Sequence, residues 1–158
     1  MAVAKSHCDT PLVDGLRINV ARFDELTVAQ LYGILRLRSD VFIVEQACAY
    51  DDIDGRDAEP ATRHLWVEAG GEVVAAARLL RNRDGAHHIG RVVTHPRHRR
   101  RGLAEALMRR AIELAGPPIE LKAQAHLADW YARFGFRPSG DTFDEAGVLH
   151  QPMRLDAT

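Results

Sequence analysis

Apolar residues recur along the chain at two different spacings, and these spacings predict strands alternating with helices. Alternate residues are apolar over 16–23, which predicts a first strand, and an unbroken apolar run over 73–80 predicts a strand buried on both faces of a sheet. Thr27 and Gln30 form a capping-box pattern at the start of a helix. The helical spacing of apolar residues over 103–114 predicts another helix, so the pattern is that of an α/β protein.

Turn signals divide the rest of the chain into further elements. Gly70 and Gly71 separate two strands as in a hairpin, and Gly116 ends the helix over 103–114. The predicted order is β-α-β-β-β-α-β-α-β-β. Strands are predicted over 16–23, 64–68, 72–80, 89–94, 119–125, 136–143 and 148–155, and helices over 28–45, 103–114 and 126–134.

Length and composition are those of a single-domain protein. The 158 residues are 46% hydrophobic and 27% charged, with a formal net charge of −1. We expect a loose leader over 1–15 and one domain over 16–158. The balanced charge argues against a nucleic-acid partner, and no segment is apolar enough for a membrane span. Cys8 and Cys48 lack metal-ligand spacing, so we expect no metal and a reduced, cytoplasmic location.

Two charged residues interrupt the apolar stripe of the helix over 28–45. A charge on such a stripe is stable only with a partner or at a solvent-filled cleft. Arg38 and Glu45 are therefore expected either to pair with each other or to face a substrate cleft. The complete stripe consists of Leu31, Leu35, Arg38, Phe42 and Glu45.

An acidic segment follows this helix over 47–63. Its Asp52 and Asp54 resemble the start of a calcium-binding loop, but Tyr50 and Ala61 stand where the first and twelfth ligands are needed. We therefore reject calcium. Two interpretations stay open, namely a solvated, mobile connection and an anionic mouth for a cationic amine.

A run of arginines precedes the helix over 103–114. We call residues 99–104 the arginine-glycine corner, because three arginines lead into Gly102 at the helix start. The first N–H groups of a helix have no acceptor within it, and their partial positive charge favours phosphate. A solvated face and a nucleic-acid patch are the alternatives. The arginines sit at one strand-to-helix junction instead of covering a face, which favours the phosphate site.

Two motifs resemble those of the GNAT acyltransferase superfamily. Residues 99–104 fit its [Gln/Arg]-x-x-Gly-x-[Gly/Ala] signature, and Tyr131, Gly135 and Phe136 fit Tyr-x-x-x-Gly-Phe. The resemblance implies a central mixed, mostly antiparallel sheet flanked by helices, and an acetyl-CoA-dependent N-acetyltransferase. It assigns acetyl-CoA binding to Val92, Val93, Thr94, Arg99, Arg100, Arg101, Gly102, Leu103, Ala104 and Gln124.

Longer stretches narrow the resemblance to the ElaA-type subgroup of this superfamily. They lie at 37–55, 89–92 and 123–127. The resemblance implies that the acceptor is a small-molecule amine or a terminal amino group, and it leaves a homodimer open. The residues expected at the acceptor are Arg38, Phe42, Glu45 and Tyr50.

Acetyl transfer requires a polarised carbonyl, a neutral amine and a proton for the departing thiolate. The resemblance implies a backbone N–H near Val93 or Thr94 for the carbonyl, and Tyr131 as the proton donor. An ordinary tyrosine, with a pKa of about 10, holds its proton more tightly than a thiol, with a pKa of about 8.5, and stays protonated at neutral pH. No general base is assigned; the candidates are Glu45, His64, His126, His150 and a water chain.

Two other functions stay open. The region of Arg38 and Phe42, together with the acidic segment after it, resembles acyl-homoserine-lactone synthases, which share the GNAT architecture. Such a synthase would transfer an acyl group to S-adenosylmethionine. The missing general base is compatible with a non-catalytic acyl-CoA-binding module.

Overall fold

The computed structural model describes residues 15–158, so the leader expected over 1–15 lies, apart from Gly15, outside the described residues. The strands are β1 (Ile18–Ala21), β2 (Arg63–Ala69), β3 (Glu72–Arg81), β4 (His87–Thr94), β5 (Ile119–Gln124), β6 (Arg137–Pro138), β7 (Phe143–Glu145) and β8 (Val148–Leu155). The helices are α1 (Val28–Arg38), α2 (Leu103–Ala115) and α3 (Ala128–Ala132).

The strands form one sheet in the order β1-β2-β3-β4-β5-β8-β6, and β7 pairs with β8 outside this path. Neighbouring strands are antiparallel, with the exception of β4 and β5, which run parallel. This architecture confirms the expected α/β class with a central mixed, mostly antiparallel sheet flanked by helices. No helix within residues 15–158 has the length and apolar character needed to cross a membrane.

Helices cover both faces of the sheet because successive residues of β3 point to opposite sides. Ala75, Ala77 and Leu79 pack in one apolar cluster with α2, whereas Ala76 packs in a second cluster with α1. All four side chains are buried, which confirms the prediction that this strand is covered on both faces. The two clusters fix both helices relative to β4, the neighbour of β3.

Local signals set the element ends as predicted. The Thr27 hydroxyl accepts from the Gln30 N–H (3.1 Å), and the Gln30 side chain accepts from the Thr27 N–H (2.9 Å), which completes the capping box of α1. Gly70 and Gly71 turn β2 into β3 with φ angles of +58° and +81°, which glycine adopts without a steric penalty. Gly116 ends α2, and its N–H donates to the carbonyl of Ile112 in the last turn (3.0 Å).

After α1 the chain continues through a π-helix over Ser39–Glu45. The N–H of Gln46 donates to the carbonyl of Val41 (2.9 Å), an i→i+5 bond that widens the turn. The wider turn moves Glu45 off the stripe that α-helical spacing predicts. The buried side chains of this segment are Ile34, Leu37, Arg38, Val41 and Phe42, whereas Leu31 and Leu35 are only partly buried.

The C-terminal part departs from the prediction in two places. The helix predicted over 126–134 begins as a 3-10 turn over Ala125–Leu127 and continues as the five-residue α3. The strand predicted over 136–143 is reduced to the short β6 and β7. Pro138 is the last residue of β6 and has no N–H to donate, so the ladder lacks one possible hydrogen bond there.

Candidate active site

Strands β4 and β5 separate after two paired residues. His87 and His88 have partners in β5, and the rest of β4 diverges from it. The register of β4 against β3 shifts between Ala76 and Arg78, where Arg91 has a φ of +52°. A bulge of this kind bends the strand. The sheet is therefore open along the second half of β4.

Backbone donors of β4 face this opening. The N–H of His95 donates to the carbonyl of Val74 (2.8 Å) on the β3 side. Because backbone groups of successive residues point to opposite edges of a strand, the N–H of Val93 points to β3 as well. The N–H groups of Thr94 and Val92 then point into the opening. Of the two residues expected to polarise the carbonyl, Thr94 is the one whose N–H faces the opening.

A groove of about 630 Å³ joins this opening to the arginine-glycine corner. We call it the cofactor groove. Gly102, with a φ of +76°, caps α2, and the N–H of Ala106 donates to its carbonyl (3.0 Å). The N–H groups of the first turn precede this bond and lack an acceptor in the helix, so they fit a diphosphate. All residues expected to bind acetyl-CoA line the groove except Arg101.

Glu45 forms an ion pair with Arg99 at this groove. Two hydrogen bonds of 2.7 and 2.6 Å join the guanidinium to the carboxylate, and Arg99 Nε donates to the carbonyl of Thr94 (3.2 Å). The hydrogen bond from Arg99 lowers the pKa of Glu45. Of the two alternatives expected for Glu45, pairing with Arg38 is therefore wrong, because the π-helix directs Glu45 to the corner.

A second cavity, of about 610 Å³, is connected to the groove. We call it the acceptor cavity. Gln124 Nε2 donates to Gln46 Oε1 (3.2 Å) where the two spaces meet. The two spaces therefore adjoin at this hydrogen bond. The residues common to both spaces, which we call the junction, are Phe42, Gln46, Val92, Gln124 and Leu127.

Tyr131 lines the acceptor cavity from α3. Its ring packs edge-on against that of Trp130, with 4.8 Å between the centroids. Gly135, with a φ of +98°, turns the chain after α3, and Phe136 is buried in the core, so the motif spacing fixes α3 against the sheet. Burial raises the pKa of Tyr131 to about 12, and the phenol is therefore protonated throughout the neutral range.

Arg38 does not line the acceptor cavity. Its side chain is 1% exposed, and the guanidinium donates to the Asp52 carboxylate (3.0 Å), the Asp52 carbonyl (2.8 Å) and the Asp57 carboxylate (2.7 Å). A buried guanidinium with these partners holds the loop over 51–57 and leaves no donor directed at a substrate.

Two further arginines hold the same loop from the sheet. Arg78 donates to both oxygens of Asp54 (2.9 Å each) and to Asp57 (3.1 Å). Arg91 forms ion pairs with Asp52 (2.9 Å) and Asp54 (3.3 Å). Three positive charges thus balance three negative ones. We call this group the loop brace; it comprises Arg38, Arg78, Arg91, Asp52, Asp54 and Asp57.

The loop brace contradicts both interpretations of the acidic segment for Asp52 and Asp57. These two carboxylates are buried and paired, so they are neither solvated nor an anionic mouth. Asp51 of the same segment is exposed and lines the acceptor cavity. The brace positions Tyr50, which lines the acceptor cavity together with Phe42. The Arg91 guanidinium lies 5.2 Å from the centroid of the Tyr50 ring, and the Tyr50 hydroxyl donates to Asp52 (3.2 Å).

Of the candidate general bases, His150 lines the acceptor cavity. Glu45 and His126 line the cofactor groove instead. His64 is buried in the core, and its Nε2–H donates to the carbonyl of Asp57 (3.0 Å). The structure thus brings one of the four residues next to the space that Tyr131 also lines.

Sequence reasoning missed several polar residues of the acceptor cavity, including four near the junction and its neighbouring strands. His88 and Lys122 come from β4 and β5, Glu145 comes from β7, and Gln46 follows the π-helix. Strand alternation is the one sequence signal for the first two, and it does not distinguish a cavity wall from an ordinary solvated face. Within residues 15–158 no group of three or more His, Cys, Asp or Glu side chains is arranged to hold a metal.

An open strand pair that joins the arginine-glycine corner to a second cavity is the arrangement expected of an acyltransferase that uses acyl-CoA as its co-substrate. Residues 29–157 match the Acetyltransf_10 family, an acetyltransferase (GNAT) domain, and the chain belongs to this family.

Relatives agree with this assignment. Protein ElaA of Escherichia coli is 40% identical over 136 residues, which cover 82% of this chain and 89% of ElaA. The crystal structure of Escherichia coli ElaA superposes with a TM-score of 0.83 at 36% identity, covering 89% of this chain and 99% of that one. An acyl-CoA N-acyltransferase from Pseudomonas aeruginosa has a TM-score of 0.85 at 37% identity, with the same two coverages.

Proposed function

We propose that the protein is an acetyl-CoA-dependent N-acetyltransferase that acts on a small-molecule amine or a terminal amino group by direct attack on the thioester. The observation that carries the proposal is the junction, where the cofactor groove opens into a cavity lined by Tyr131. An amine in this cavity has a direct path to a thioester in the groove. A covalent acyl-enzyme is not part of the proposal.

The diphosphate of acetyl-CoA is held at the arginine-glycine corner. The first-turn amides of α2 supply hydrogen-bond donors and a partial positive charge. The open edge of β4 then pairs with the pantetheine arm as an added strand does. In this position the N–H of Thr94 donates to the thioester carbonyl oxygen as negative charge develops on it. A single donor of this kind contributes about 3 kcal/mol to the barrier reduction.

Tyr131 assists the departure of the thiolate. As the C–N bond forms and the C–S bond breaks, the sulfur becomes negative and the phenol donates a hydrogen bond to it. With a pKa of about 12, Tyr131 keeps its proton before the reaction. Complete proton transfer from Tyr131 to a free thiolate is unfavourable, because the thiol that forms has a pKa of about 8.5, below that of the phenol. The phenol therefore acts mainly on the transition state, where the hydrogen bond to developing charge is strong.

The proposal predicts that acetyl-CoA stabilises the protein and that an amine releases its thiol. At a ligand concentration of 100 times Kd, the free energy of unfolding should rise by about 2.7 kcal/mol. Thermal unfolding with and without acetyl-CoA measures the first effect, and a thiol-reactive dye with a panel of primary amines measures the second. No stabilisation at saturating acetyl-CoA would contradict the proposal. Stabilisation without thiol release across the panel would favour the acyl-CoA-binding module.

The conformation of Gly102 provides a test of the corner. At its φ of +76°, an added Cβ meets no atom within 4 Å, so Gly102→Ala introduces backbone strain without a clash. We expect a loss of about 1 kcal/mol in stability. Because the strain displaces the first-turn amides, the Kd for acetyl-CoA should rise by about tenfold, which corresponds to about 1.4 kcal/mol. Isothermal titration calorimetry measures the Kd.

Gly85 provides the matched control for this change. It lies in the turn between β3 and β4 with a φ of +88°, and an added Cβ there also meets nothing within 4 Å. Gly85→Ala should therefore cost a similar stability and leave the Kd for acetyl-CoA unchanged. Equal affinities of the two variants would show that the corner amides do not hold the diphosphate.

The lactone-synthase alternative loses part of what motivated it. Arg38 and three of the acidic carboxylates, those of Asp52, Asp54 and Asp57, belong to the loop brace and are partners of one another. No feature of the acceptor cavity favours S-adenosylmethionine over a simple amine. A cytoplasmic location, predicted from the low cysteine content, remains part of the proposal.

A further inference from the structure

The acceptor amine must lose a proton during the transfer, and the proposed function does not yet name the group that takes it. The cavity contains several ionisable side chains, but most of them are already paired. Asp54 accepts from Arg78 (2.9 Å), and Glu120 accepts from Arg154 (2.8 Å). A carboxylate bound to a guanidinium is a weak base, since the pairing favours its charged form. Asp51 and Glu145 are exposed carboxylates that also line the cavity, and its histidines are the candidates for a neutral base.

The hydrogen bond of His150 fixes its tautomer. His150 lies in β8, and its Nδ1 is 2.8 Å from the carbonyl oxygen of Val148. A carbonyl oxygen can only accept, so Nδ1 carries the proton and donates it. In the neutral ring Nε2 is then unprotonated and carries a free lone pair. The Val148 carbonyl thereby prepares the other ring nitrogen to accept a proton.

The surroundings of His150 place its ring next to the junction. Its partner across the β5–β8 ladder is Gln124, a junction residue. The ring stacks on Phe143 of β7, with 5.5 Å between centroids and an interplanar angle of 19°. The stacking and the hydrogen bond together restrict rotation of the imidazole. His150 and Tyr131 line the same cavity, from β8 and α3 respectively.

We propose that Nε2 of His150 is the general base that takes the proton from the attacking amine. This inference rests on the proposed function. The amine nitrogen uses its lone pair to form the C–N bond, the C–S electron pair leaves with sulfur, and the N–H proton moves to Nε2. The imidazolium then returns that proton to solvent or to the departing thiolate, so the enzyme ends unchanged.

His88 is the other histidine of the cavity, and its position suits the role less well. It lies where β4 and β5 are still paired, opposite Glu120, whereas the junction begins beyond the point of divergence. Burial lowers the pKa of His88 to about 4, with a contribution from Lys122. A base of that strength is neutral but accepts a proton poorly at neutral pH. General-base catalysis is most efficient when the pKa of the base lies near the operating pH.

Charged and polar groups of neighbouring elements lie near His150. Lys122 of β5 lies with its ammonium 5.6 Å from the centroid of the Phe143 ring that stacks on His150. Glu145 of β7 and Tyr131 of α3 line the same cavity.

The variant His150→Gln tests the proposal. With the most reactive amine of the panel as the probe, kcat should fall by about 10²-fold or more, the usual contribution of a general base. The Kd for acetyl-CoA should stay within about twofold, because His150 does not line the cofactor groove. His87→Gln is the control, because His87 lines neither cavity nor groove.

Added imidazole should restore part of the turnover of His150→Ala, which a purely structural role would not allow. An unchanged kcat in His150→Gln would overturn the assignment while leaving the proposed function intact. If no amine of the panel is turned over, the tautomer of His150 tests the assignment independently of activity. Long-range ¹H–¹⁵N correlation spectra of the wild type, assigned by difference with His150→Gln, should show the proton on Nδ1. A proton on Nε2 would overturn the assignment.

Discussion

Replacing Tyr131 by phenylalanine should lower kcat by about 10²-fold while leaving the Kd for acetyl-CoA within about twofold, as expected for the loss of one donor to the leaving sulfur. The change removes a single hydroxyl from a ring that is fixed by Trp130 (4.8 Å) and by the turn at Gly135. The ring packing is therefore retained. Steady-state thiol release gives kcat, and calorimetry with the same preparation gives the Kd.

Tyr32→Phe is the matched control, because this side chain is 67% exposed on α1 and lines neither cavity nor groove. It should keep wild-type kcat. If Tyr131→Phe also keeps wild-type kcat, the phenol is a wall residue and the thiolate departs with help from solvent. If the variant loses acetyl-CoA affinity in proportion to kcat, the hydroxyl contributes to binding and not to the departure of sulfur.

The raised pKa of Tyr131 also predicts how the rate depends on pH. Because burial raises it to about 12, the phenol stays protonated as the pH rises through the range in which a tyrosine in water ionises, near 10. The wild-type rate should therefore show no alkaline loss below about pH 11 that Tyr131→Phe lacks. An alkaline limb near pH 10 that disappears in the variant would mean that the ring is more exposed than the structure indicates.

Features that depend on neighbours in the chain were predictable from the sequence. The capping box of Thr27, the hairpin at Gly70 and the end of α2 at Gly116 all use contacts within a few residues. The arginine-glycine corner belongs to the same class, because its donors are the first amides of the helix that it precedes. The fold class follows from such signals, since their order along the chain restricts the topologies that remain.

Features that depend on distant partners were not predictable. Arg38 was expected to pair with Glu45 or to face a cleft, but its partners are Asp52 and Asp57, 14 and 19 residues away along the chain. Helical spacing treats residues seven apart as neighbours on one face. The π-helix breaks this relation, and α-helical periodicity contains no signal for it.

The acceptor cavity exists only because β4 and β5 separate, and this separation has no sequence signature. The bulge at Arg91 requires a φ of +52°, which arginine adopts at a cost, and the ion pairs of its side chain with Asp52 and Asp54 accompany that conformation. A sequence shows the arginine but neither its backbone angle nor its partners. His88 and Lys122 could therefore not be recognised as lining residues.

The loop brace should make Asp57 the most sensitive position for stability. Asp57→Ala leaves the three arginines of the brace with two carboxylates, and two of these arginines, Arg38 and Arg78, are 1% and 3% exposed. Removing one partner of a buried ion pair typically costs about 3–5 kcal/mol, because the remaining charge is buried without compensation. Urea unfolding at pH 7, followed by circular dichroism, measures the loss. The loop that carries Tyr50 should loosen as well, which should raise the KM for the acceptor amine.

Asp24→Ala is the control, because its pair with Arg22 (3.2 Å) has side chains 73% and 46% exposed and should contribute no more than about 1 kcal/mol. A loss of similar size in Asp57→Ala would contradict the role of the brace.

The loop brace also predicts how the stability of the folded state depends on pH. Burial alone raises the pKa of Asp54, but the hydrogen bonds from Arg78 and Arg56 N–H and the charges of Arg78 and Arg91 lower it to about 2. The pKa of Asp57 is also lowered, with burial opposing and Arg38 and Arg78 outweighing it. Groups with depressed pKa values stabilise the folded state above their unfolded pKa, about 3.9, and lose that contribution as the pH falls towards 2.

Wild-type stability should therefore drop between about pH 4 and pH 2 by more than that of Asp57→Ala, since the variant has already lost one of these carboxylates. Parallel curves for the two proteins would show that the brace does not depend on ionised Asp57.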